Sequence, residues 1–293
     1  MRLLFHSAIA LWVLSGLAGC STWDTHVPRS EALLKPITLA DDGMQLEVIS
    51  VRFAIEDPDF NAELWNKVDE QQLPLAVRRE LAENGLRAGV LYGELPPVIA
   101  QKLAATENRP VSVTEASARF ERSAPATRQT MQLHSGWRGE ILASGVYAEL
   151  PLMMLDNGRL AGRTYPQAQG IIDAQVQALG DHRIKLHLTP QLQYGEARQQ
   201  WVTEDGVIRP QTAKPKQAFE RLTFDATLAQ DQMLLVTSLP DRPGTLGNYF
   251  FTEQKDGQSQ QKLVVIRLAE SRYSDLFVPP SGEQPQVRNQ ESD

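Results

Sequence analysis

The stretch Arg183–Tyr194, RIKLHLTPQLQY, decides the fold class of this chain. Its apolar residues fall on every second position from Ile184 to Tyr194, and polar side chains occupy most of the positions between them. A period of two is typical of a β-strand that has one buried face and one solvated face. Pro190 lacks the amide hydrogen that a ladder bond needs, so the stretch also predicts a sheet edge or a break there.

β-Structure is predicted over most of the chain on both sides of this strand. The predicted strands, which have β-branched or alternating apolar residues, cover 44–55, 86–92, 111–120, 128–133, 146–155, 219–228, 232–239 and 262–268. The last two are apolar almost throughout, which predicts central strands. In the first, the alternation changes phase between Val48 and Ile49, which predicts a bulge or burial on both faces. The prolines and glycines of 240–247 predict an ordered loop.

Helices are predicted only between residues 63 and 108. One or two turns are expected at 63–69, and a short helix is expected after Pro96. The best-marked helix starts at Pro74 and stops at Asn84-Gly85, because proline favours a first helical turn and glycine a left-handed stop. The predicted fold is therefore α+β and mainly β: a twisted sheet or β-sandwich of about eight strands with a small N-terminal helical portion.

The composition limits the classes of partner and of site. The chain has 293 residues, a formal net charge of -7 and a single cysteine, Cys20. An acidic chain without basic runs is poorly matched to nucleic acid, so no nucleic-acid partner is expected. One cysteine allows neither an internal disulfide nor a zinc site built on cysteine pairs.

The N-terminus has the three parts of a secretory signal. Arg2 supplies a positive charge, Ala8–Leu14 is apolar but too short for a comfortable membrane span, and small residues follow at Ala18 and Gly19. An uncleaved anchor helix, or an ordinary signal peptide with an incidental cysteine, is the alternative interpretation.

The tetrapeptide Leu17-Ala18-Gly19-Cys20 resembles the lipobox of bacterial lipoproteins. The resemblance implies that residues 1–19 are removed and that Cys20 becomes the first mature residue, lipidated with acyl chains such as palmitate. It also implies attachment to a membrane of the cell envelope. Ser21 after the cysteine favours the outer membrane, with the protein facing the periplasm.

The chain is expected to divide into five segments. They are a signal peptide at 1–19, a lipidated cysteine and flexible tether at 20–43, a strand-helix-helix-strand portion at 44–108, a β-rich portion at 109–278 and a disordered tail at 279–293. As a flexible coil, the tether would span roughly 25 to 30 Å.

No constellation of catalytic or metal-binding residues is evident. His182 and His187 are five positions apart, so on a strand they would point to opposite faces. His134-Ser135 is better explained as a turn, and the acidic pairs lie in no calcium-loop motif. The glycines form no phosphate-binding loop. We therefore expect no enzymatic activity, no metal and no cofactor.

Several stretches resemble the core of secretins, the channels of type II and type III secretion. They are MQLEVISVRF at 44–53, IKLHLTPQLQYGEARQQW at 184–201, FERLTFDATLAQDQMLLVTSLPDRPGTLGNYFF at 219–251 and KLVVIRL at 262–268. The resemblance implies a truncated secretin-like core. Asp231-Gln232 and Ser238 replace glycines that the pattern would have. Because no hairpin long enough to line a multimeric pore is predicted, the fold is expected to carry over without the channel.

These features favour a non-enzymatic, lipid-anchored envelope protein that acts as a scaffold or binds a partner, within a secretion or pilus apparatus. Sheet edges would provide the contact, by strand addition to a partner or to a second copy. The alternative is an envelope protein that binds a small ligand or polysaccharide through exposed aromatic residues, with Trp137, Tyr165 and Trp201 as candidates and Tyr147 close by. A hydrolase with a non-contiguous site is a more remote alternative.

Overall fold

The computed structural model describes residues 43–55, 57, 59–107, 124–156, 158–179, 182–204, 207–255 and 257–271. The predicted signal peptide, Cys20 and nearly all of the tether therefore lie outside the described residues, as do the predicted strand at 111–120 and the tail at 279–293.

The described residues are mainly β, which confirms the predicted fold class. The strands are β1 (Gly43–Ala54), β2 (Leu86–Tyr92), β3 (Ala126–His134), β4 (Arg138–Asp156), β5 (Arg159–Ala178), β6 (Ile184–Gln193), β7 (Arg198–Glu204), β8 (Val207–Ala213), β9 (Lys216–Ala218), β10 (Phe224–Leu228), β11 (Gln232–Ser238), β12 (Thr252–Lys255) and β13 (Gln258–Ser271). The helices are α1 (Leu75–Glu83), α2 (Pro97–Glu107) and α3 (Leu246–Phe251). Short helical turns occupy Asp59–Leu64, Trp65–Lys67, Glu70–Gln72 and Glu220–Leu222.

The first sheet has six strands in the order β2-β11-β13-β1-β3, with β12 also paired to β13. All of its pairs are antiparallel. As predicted, β11 and β13 are central strands, and their apolar residues are buried on both faces of the sheet. The outer edge of β2 is covered at one point, because Val90 and Asp69 exchange two backbone hydrogen bonds.

The phase change in β1 reflects two different cores. Met44, Leu46 and Val48 belong to the core shared with the second sheet. Further along the strand, Ile49 and Phe53 belong to a core on the opposite face, which is covered by α2 and the helical turns before α1. Of the two explanations predicted for Val48 and Ile49, burial on both faces is confirmed. A bulge there is wrong, because β1 pairs with β13 without interruption beyond Leu46.

The second sheet has five strands in the order β10-β6-β5-β4, with β9 beside β6. Along β6 the predicted inner face is buried. Pro190 marks a break and not an edge: β10 pairs with β6 up to Leu188, and β9 pairs from Gln191 onward. Between those two partners, the carbonyl of Pro190 accepts a hydrogen bond from the Phe219 amide at 3.0 Å.

Several segments differ from their predicted structure. The predicted strand at 219–228 begins with the helical turn Glu220–Leu222, and only Phe224–Leu228 is extended. The predicted loop at 240–247 runs into α3, a helix that was not predicted. The strands β5, β7, β8, β9 and β12 were not predicted either. No helix within the described ranges is long and apolar enough to cross a membrane.

The two ends of the sandwich carry different features. Gly43 pairs with His134 and Met44 pairs with Ser271, so the first and last described residues lie together at what we call the Gly43 end. Leu86 pairs with Ser238 at the opposite end, which we call the Leu86 end. The two ends are about 30 Å apart along β1, at about 3.3 Å for each residue of a strand.

Candidate binding site

The most prominent candidate site is the long hairpin formed by β4 and β5. The two strands pair from Arg138 opposite Gln175 to Asp156 opposite Arg159. β6 pairs with β5 only over 169–178, so the outer half of the hairpin is a two-stranded ribbon that continues past the rest of its sheet. The prediction that the chain lacks a long hairpin is therefore wrong.

A bulge divides β4 into two halves. The register with β5 shifts between Leu142 and Val146, and the hydroxyl of Ser144 fixes the irregular segment by accepting a hydrogen bond from the Gly170 amide at 2.8 Å. The carbonyl of Ser144 accepts a second bond from Gln169 at 3.2 Å. Because these groups are satisfied inside the protein, the bulge is a defined feature and not a frayed edge.

A buried lysine ties this bulge to the first sheet. Lys262 of β13 is only 8% exposed, and its ammonium group donates a hydrogen bond to the carbonyl of Ala143. Directly opposite in the ladder lies Arg52, which pairs with Glu253. Burial lowers the pKa of Lys262 to about 8; the negative charge of Glu253 opposes this shift, and Arg52 adds to it. The cluster therefore places charged groups where the two sheets meet.

Tyr147, just beyond the bulge, attaches the hairpin to α3. Its hydroxyl donates to the carbonyl of Tyr249 at 2.7 Å, and the two rings meet edge to face at 5.6 Å. Burial, followed by the charge of Glu253, raises the pKa of Tyr147 to about 12. The phenol thus stays protonated and remains a hydrogen-bond donor at neutral pH.

The edge of β4 is closed beyond this point. The amide of Met153 donates to the carbonyl of Gly244 at 3.0 Å, and the amide of Leu155 donates to Oδ1 of Asn84 at 3.1 Å. Pro151 has no amide hydrogen to offer. Strand addition to this part of β4 is therefore blocked. The outer edge of β3 has no strand partner among the described residues.

A groove of about 380 Å³ opens on the inner face of the hairpin, at the Leu86 end. Its walls are largely apolar and include Leu152, Met154, Ala161, Tyr165, Phe219 and Leu222. The Arg163 guanidinium lies 4.8 Å from the centre of the Tyr165 ring, which packs edge to face against Tyr194. Burial raises the pKa of Tyr165. A cavity of this size with few polar groups is typical of sites for small ligands or apolar side chains.

The outer face of the same hairpin exposes large apolar side chains. Seven such residues are exposed in the described part of the chain, and four of them lie on the hairpin: Leu142, Val146, Met153 and Leu160. We call these four the outer stripe. Leu160 is the most exposed of them at 68%. A concentration of apolar side chains on one exposed element is typical of a surface that contacts another molecule.

The predicted aromatic candidates do not form one site. Tyr165 lines the groove, whereas Trp137 lies at the other end of β5, bonded through its carbonyl to the Val176 amide. Val176 and Tyr165 are about 35 Å apart along the strand. Trp201 lies in β7, opposite Pro210, in a separate two-stranded sheet. Cys20 lies outside the described residues.

The histidines also lie apart from one another. His187 faces outward on β6, where Nδ1 lies 2.7 Å from Oδ1 of Asp225. His182 occupies a turn with a positive φ of 55°. His134 and Ser135 form the predicted turn after β3. Among the residues that the structure describes, no three His, Cys, Asp or Glu side chains are grouped closely enough to hold a metal ion.

Sequence reasoning missed the cluster of Lys262, Arg52 and Glu253. The available signal was the presence of Lys262 and Arg52 inside strands that are otherwise apolar. Charged residues are almost never fully buried without partners, so two cations in predicted buried strands indicate a buried polar cluster.

Comparison with known proteins identifies no family for this chain. No protein-family model matches it, and no curated protein matches it. Among solved structures, it is similar to the InvG secretin domain β-barrel from the Salmonella SPI-1 injectisome NC-base, with 11% identity and a TM-score of 0.22. The match covers 84% of this chain and 64% of that chain, so the chain spans less than two thirds of this structural neighbour's length.

Proposed function

We propose that this chain is a non-enzymatic, lipid-anchored protein of the bacterial cell envelope that binds a partner protein through the β4–β5 hairpin. The observation that carries the proposal is the outer stripe, which holds four of the seven large apolar side chains that are exposed in the described residues. The groove at the Leu86 end offers a further apolar contact on the opposite face of the same hairpin.

A protein partner fits this surface better than a small ligand does. Leu142 and Met153 are separated by eleven positions of β4, so the stripe extends over about 35 Å. A small ligand would contact only part of that length, whereas a specific protein interface typically contributes about 800 Å² from each partner. The resemblance of residues 184–201 and 219–251 to the secretin core makes a component of a secretion or pilus apparatus the first partner to test.

The anchor is proposed to be Cys20, lipidated after removal of residues 1–19 and held in the outer membrane on its periplasmic side. The described chain begins at Gly43, at the end of the sandwich opposite the groove. More than one acyl chain is needed for stable membrane binding.

Photo-crosslinking in intact cells tests the binding surface. A photoreactive amino acid is placed at Leu160, and a matched variant carries it at Leu75, which is 54% exposed on α1. We expect a discrete adduct with one envelope protein from position 160, and its loss when Met153→Asp is added. Absence of an adduct at position 160, or an equal adduct at position 75, would contradict the proposal.

The anchor needs a separate test. Cells producing the chain are labelled with a palmitate analogue, and the envelope fraction is compared between the wild type and Cys20→Ala. We expect labelling and membrane retention to depend on Cys20. The lipid anchor would be contradicted if the wild-type chain stayed unlabelled, or if labelling persisted in Cys20→Ala. Neither result would affect the hairpin proposal, which the crosslinking experiment tests separately.

A further inference from the structure

We propose that the groove on the inner face of the β4–β5 hairpin binds a long-chain fatty acid, with the hydrocarbon chain along its apolar walls and the carboxylate at Arg163. The proposed function rests on the outer stripe, which lies on the opposite face of the same hairpin, so this site goes beyond that function. Three features support it: the apolar walls, the internally satisfied backbone around them, and the charge of Arg163.

The walls of the groove suit a hydrocarbon chain. Leu152 and Met154 face it from β4, and Ala161 and Tyr165 face it from β5. Most of the remaining apolar lining comes from 218–222, at and after the end of β9. The volume of about 380 Å³ is within the range of pockets that bury most of a small ligand. Transfer of methylene groups from water to such walls favours binding.

The backbone around the groove favours an acyl chain over a peptide. The amide of Leu155 donates to Oδ1 of Asn84 at 3.1 Å. The amide of Phe219 donates to the Pro190 carbonyl at 3.0 Å, and the Phe219 carbonyl accepts from the Leu222 amide at 2.9 Å. A bound peptide needs partners for its own amides and carbonyls, and these groups already have partners within the protein. An acyl chain needs no such partners.

Arg163 supplies the positive charge for a carboxylate. Its guanidinium lies 4.8 Å from the centre of the Tyr165 ring and 5.8 Å from that of Tyr194, and it forms no ion pair with any residue that the structure describes. A guanidinium matches a carboxylate in shape and can donate two parallel hydrogen bonds to it. In the register of the hairpin, Arg163 lies opposite Leu152, so the charge adjoins the apolar wall.

The other charged residues of the lining are consistent with this assignment. Oε1 of Glu80 lies 2.5 Å from a guanidinium nitrogen of Arg221, so these two charges cancel. Glu220 is exposed at the first residue of its helical turn, where solvent and salt screen its charge. Removal of that negative charge should therefore leave fatty-acid binding unchanged or strengthen it.

Photolabelling tests the site on the full chain, extracted from envelopes in mild detergent. The probe is palmitate that carries a diazirine, and the readout is the probe concentration that gives half-maximal labelling. We expect an adduct on peptides from 150–165 or 217–222, which are distinct from any acylation at Cys20. Unlabelled palmitate should compete for it, and methyl palmitate, which lacks the charge, should compete about tenfold less well.

Substitution of Arg163 tests the carboxylate contact. Arg163→Gln should raise the half-maximal concentration about tenfold, and Arg163→Lys should retain part of the affinity. Arg159→Gln is the matched control, because Arg159 is an exposed arginine of the same strand that does not line the groove. Glu220→Gln should bind the probe at least as tightly as the wild type.

A bulky side chain tests the location of the acyl chain. Ala161→Trp should fill the groove and abolish labelling. Thr164→Trp should leave labelling unchanged, because Thr164 is three positions along the same strand and faces the opposite side of the hairpin.

Several results would overturn the inference. They are no adduct in either segment up to roughly 1 mM probe, equal competition by palmitate and methyl palmitate, unchanged labelling in Arg163→Gln, or weaker labelling in Glu220→Gln. Displacement of the probe by an apolar tetrapeptide at lower concentration than by palmitate would assign the groove to a peptide instead. Unfolding temperatures identify any loss that comes from misfolding, and Arg163→Lys then decides the outcome. Crosslinking from Leu160 should be unchanged in Arg163→Gln, so the groove site and the outer stripe can fail independently.

Discussion

The ammonium group of Lys262 donates a hydrogen bond to the carbonyl of Ala143, 119 residues earlier in the chain. This contact joins the central strand of the first sheet to the bulge in the exposed hairpin of the second. A buried cation is costly unless it is hydrogen-bonded, and the Ala143 carbonyl supplies that bond here, while the negative charge of Glu253 opposes part of the fall in the Lys262 pKa. The position of the hairpin therefore depends on a polar contact inside an otherwise apolar interface.

The free energy of unfolding should rise with pH between about 8 and 10. Lys262 has its pKa lowered from 10.5 to about 8 in the folded protein, so the unfolded chain binds more protons in that interval. Chemical denaturation at a series of pH values should show an increase of about 2 to 3 kcal/mol for this group. Above pH 10 the trend should reverse, because Tyr147 keeps its proton up to a pKa of about 12 in the folded state.

Lys262→Met is the control for this pH dependence. It preserves most of the side-chain volume and removes the titrating group, so the increase between pH 8 and 10 should disappear. The same slope in Lys262→Met as in the wild type would contradict the assignment to Lys262.

Gly170→Ala should destabilise the protein by about 1 to 3 kcal/mol. A β-carbon added there would lie 2.6 Å from the ring of Phe250, which is 1% exposed and cannot move freely. Gly162→Ala is the matched control on the same strand, because a β-carbon at that position meets nothing within 4 Å. Urea denaturation gives the free energy of unfolding of both variants. If the two values were equal, the packing of β5 against α3 would be looser than described.

Asn84→Ala should loosen the outer half of the hairpin. The side chain of Asn84 is 1% exposed, accepts a hydrogen bond from the Leu155 amide and donates one to the Glu80 carbonyl. Leaving such groups without partners costs about 1 to 3 kcal/mol. Hydrogen exchange should accelerate at Leu155 and Met153 before it does in the core strands.

Gln72→Ala serves as the comparison for Asn84→Ala. It removes an exposed amide that bonds to the Tyr92 hydroxyl, so the stability should change by less than about 0.5 kcal/mol. Unaltered exchange at Leu155 in Asn84→Ala would contradict the role given to Asn84.

The parts of the fold that could be predicted are those in which burial follows a simple period. Apolar and polar side chains alternate along the whole of β6. The strands β2 and β11 are bounded by glycine or turn residues, so the ends of these two strands were predicted to within one residue. β5 escaped prediction because residues 159–164 are exposed on both faces and Pro166 and Gly170 interrupt the rest. No apolar period marks a segment whose successive side chains are all exposed.

The candidate sites were less accessible to sequence reasoning. Trp137 and Tyr165 were identified as aromatic candidates. Because β5 was not predicted, the sequence did not indicate that the two residues lie at opposite ends of that strand. The outer stripe combines residues of two strands whose register is set by the bulge at Ser144. Helix α3 packs closely against the Gly85 carbonyl, which only a glycine at position 247 permits, and local sequence does not specify this long-range contact.

Sedimentation of the chain, extracted from envelopes in mild detergent, tests the role of the outer stripe most directly. The variants are Met153→Asp and Leu160→Asp on the stripe, with Leu75→Asp as an equally apolar control outside it. All three positions are exposed, so each variant should keep its stability within about 0.5 kcal/mol. We predict that the wild type and Leu75→Asp sediment as one larger complex, and that both stripe variants sediment as the free chain. A free wild-type chain, or a complex that persists in both stripe variants, would contradict partner binding through the hairpin.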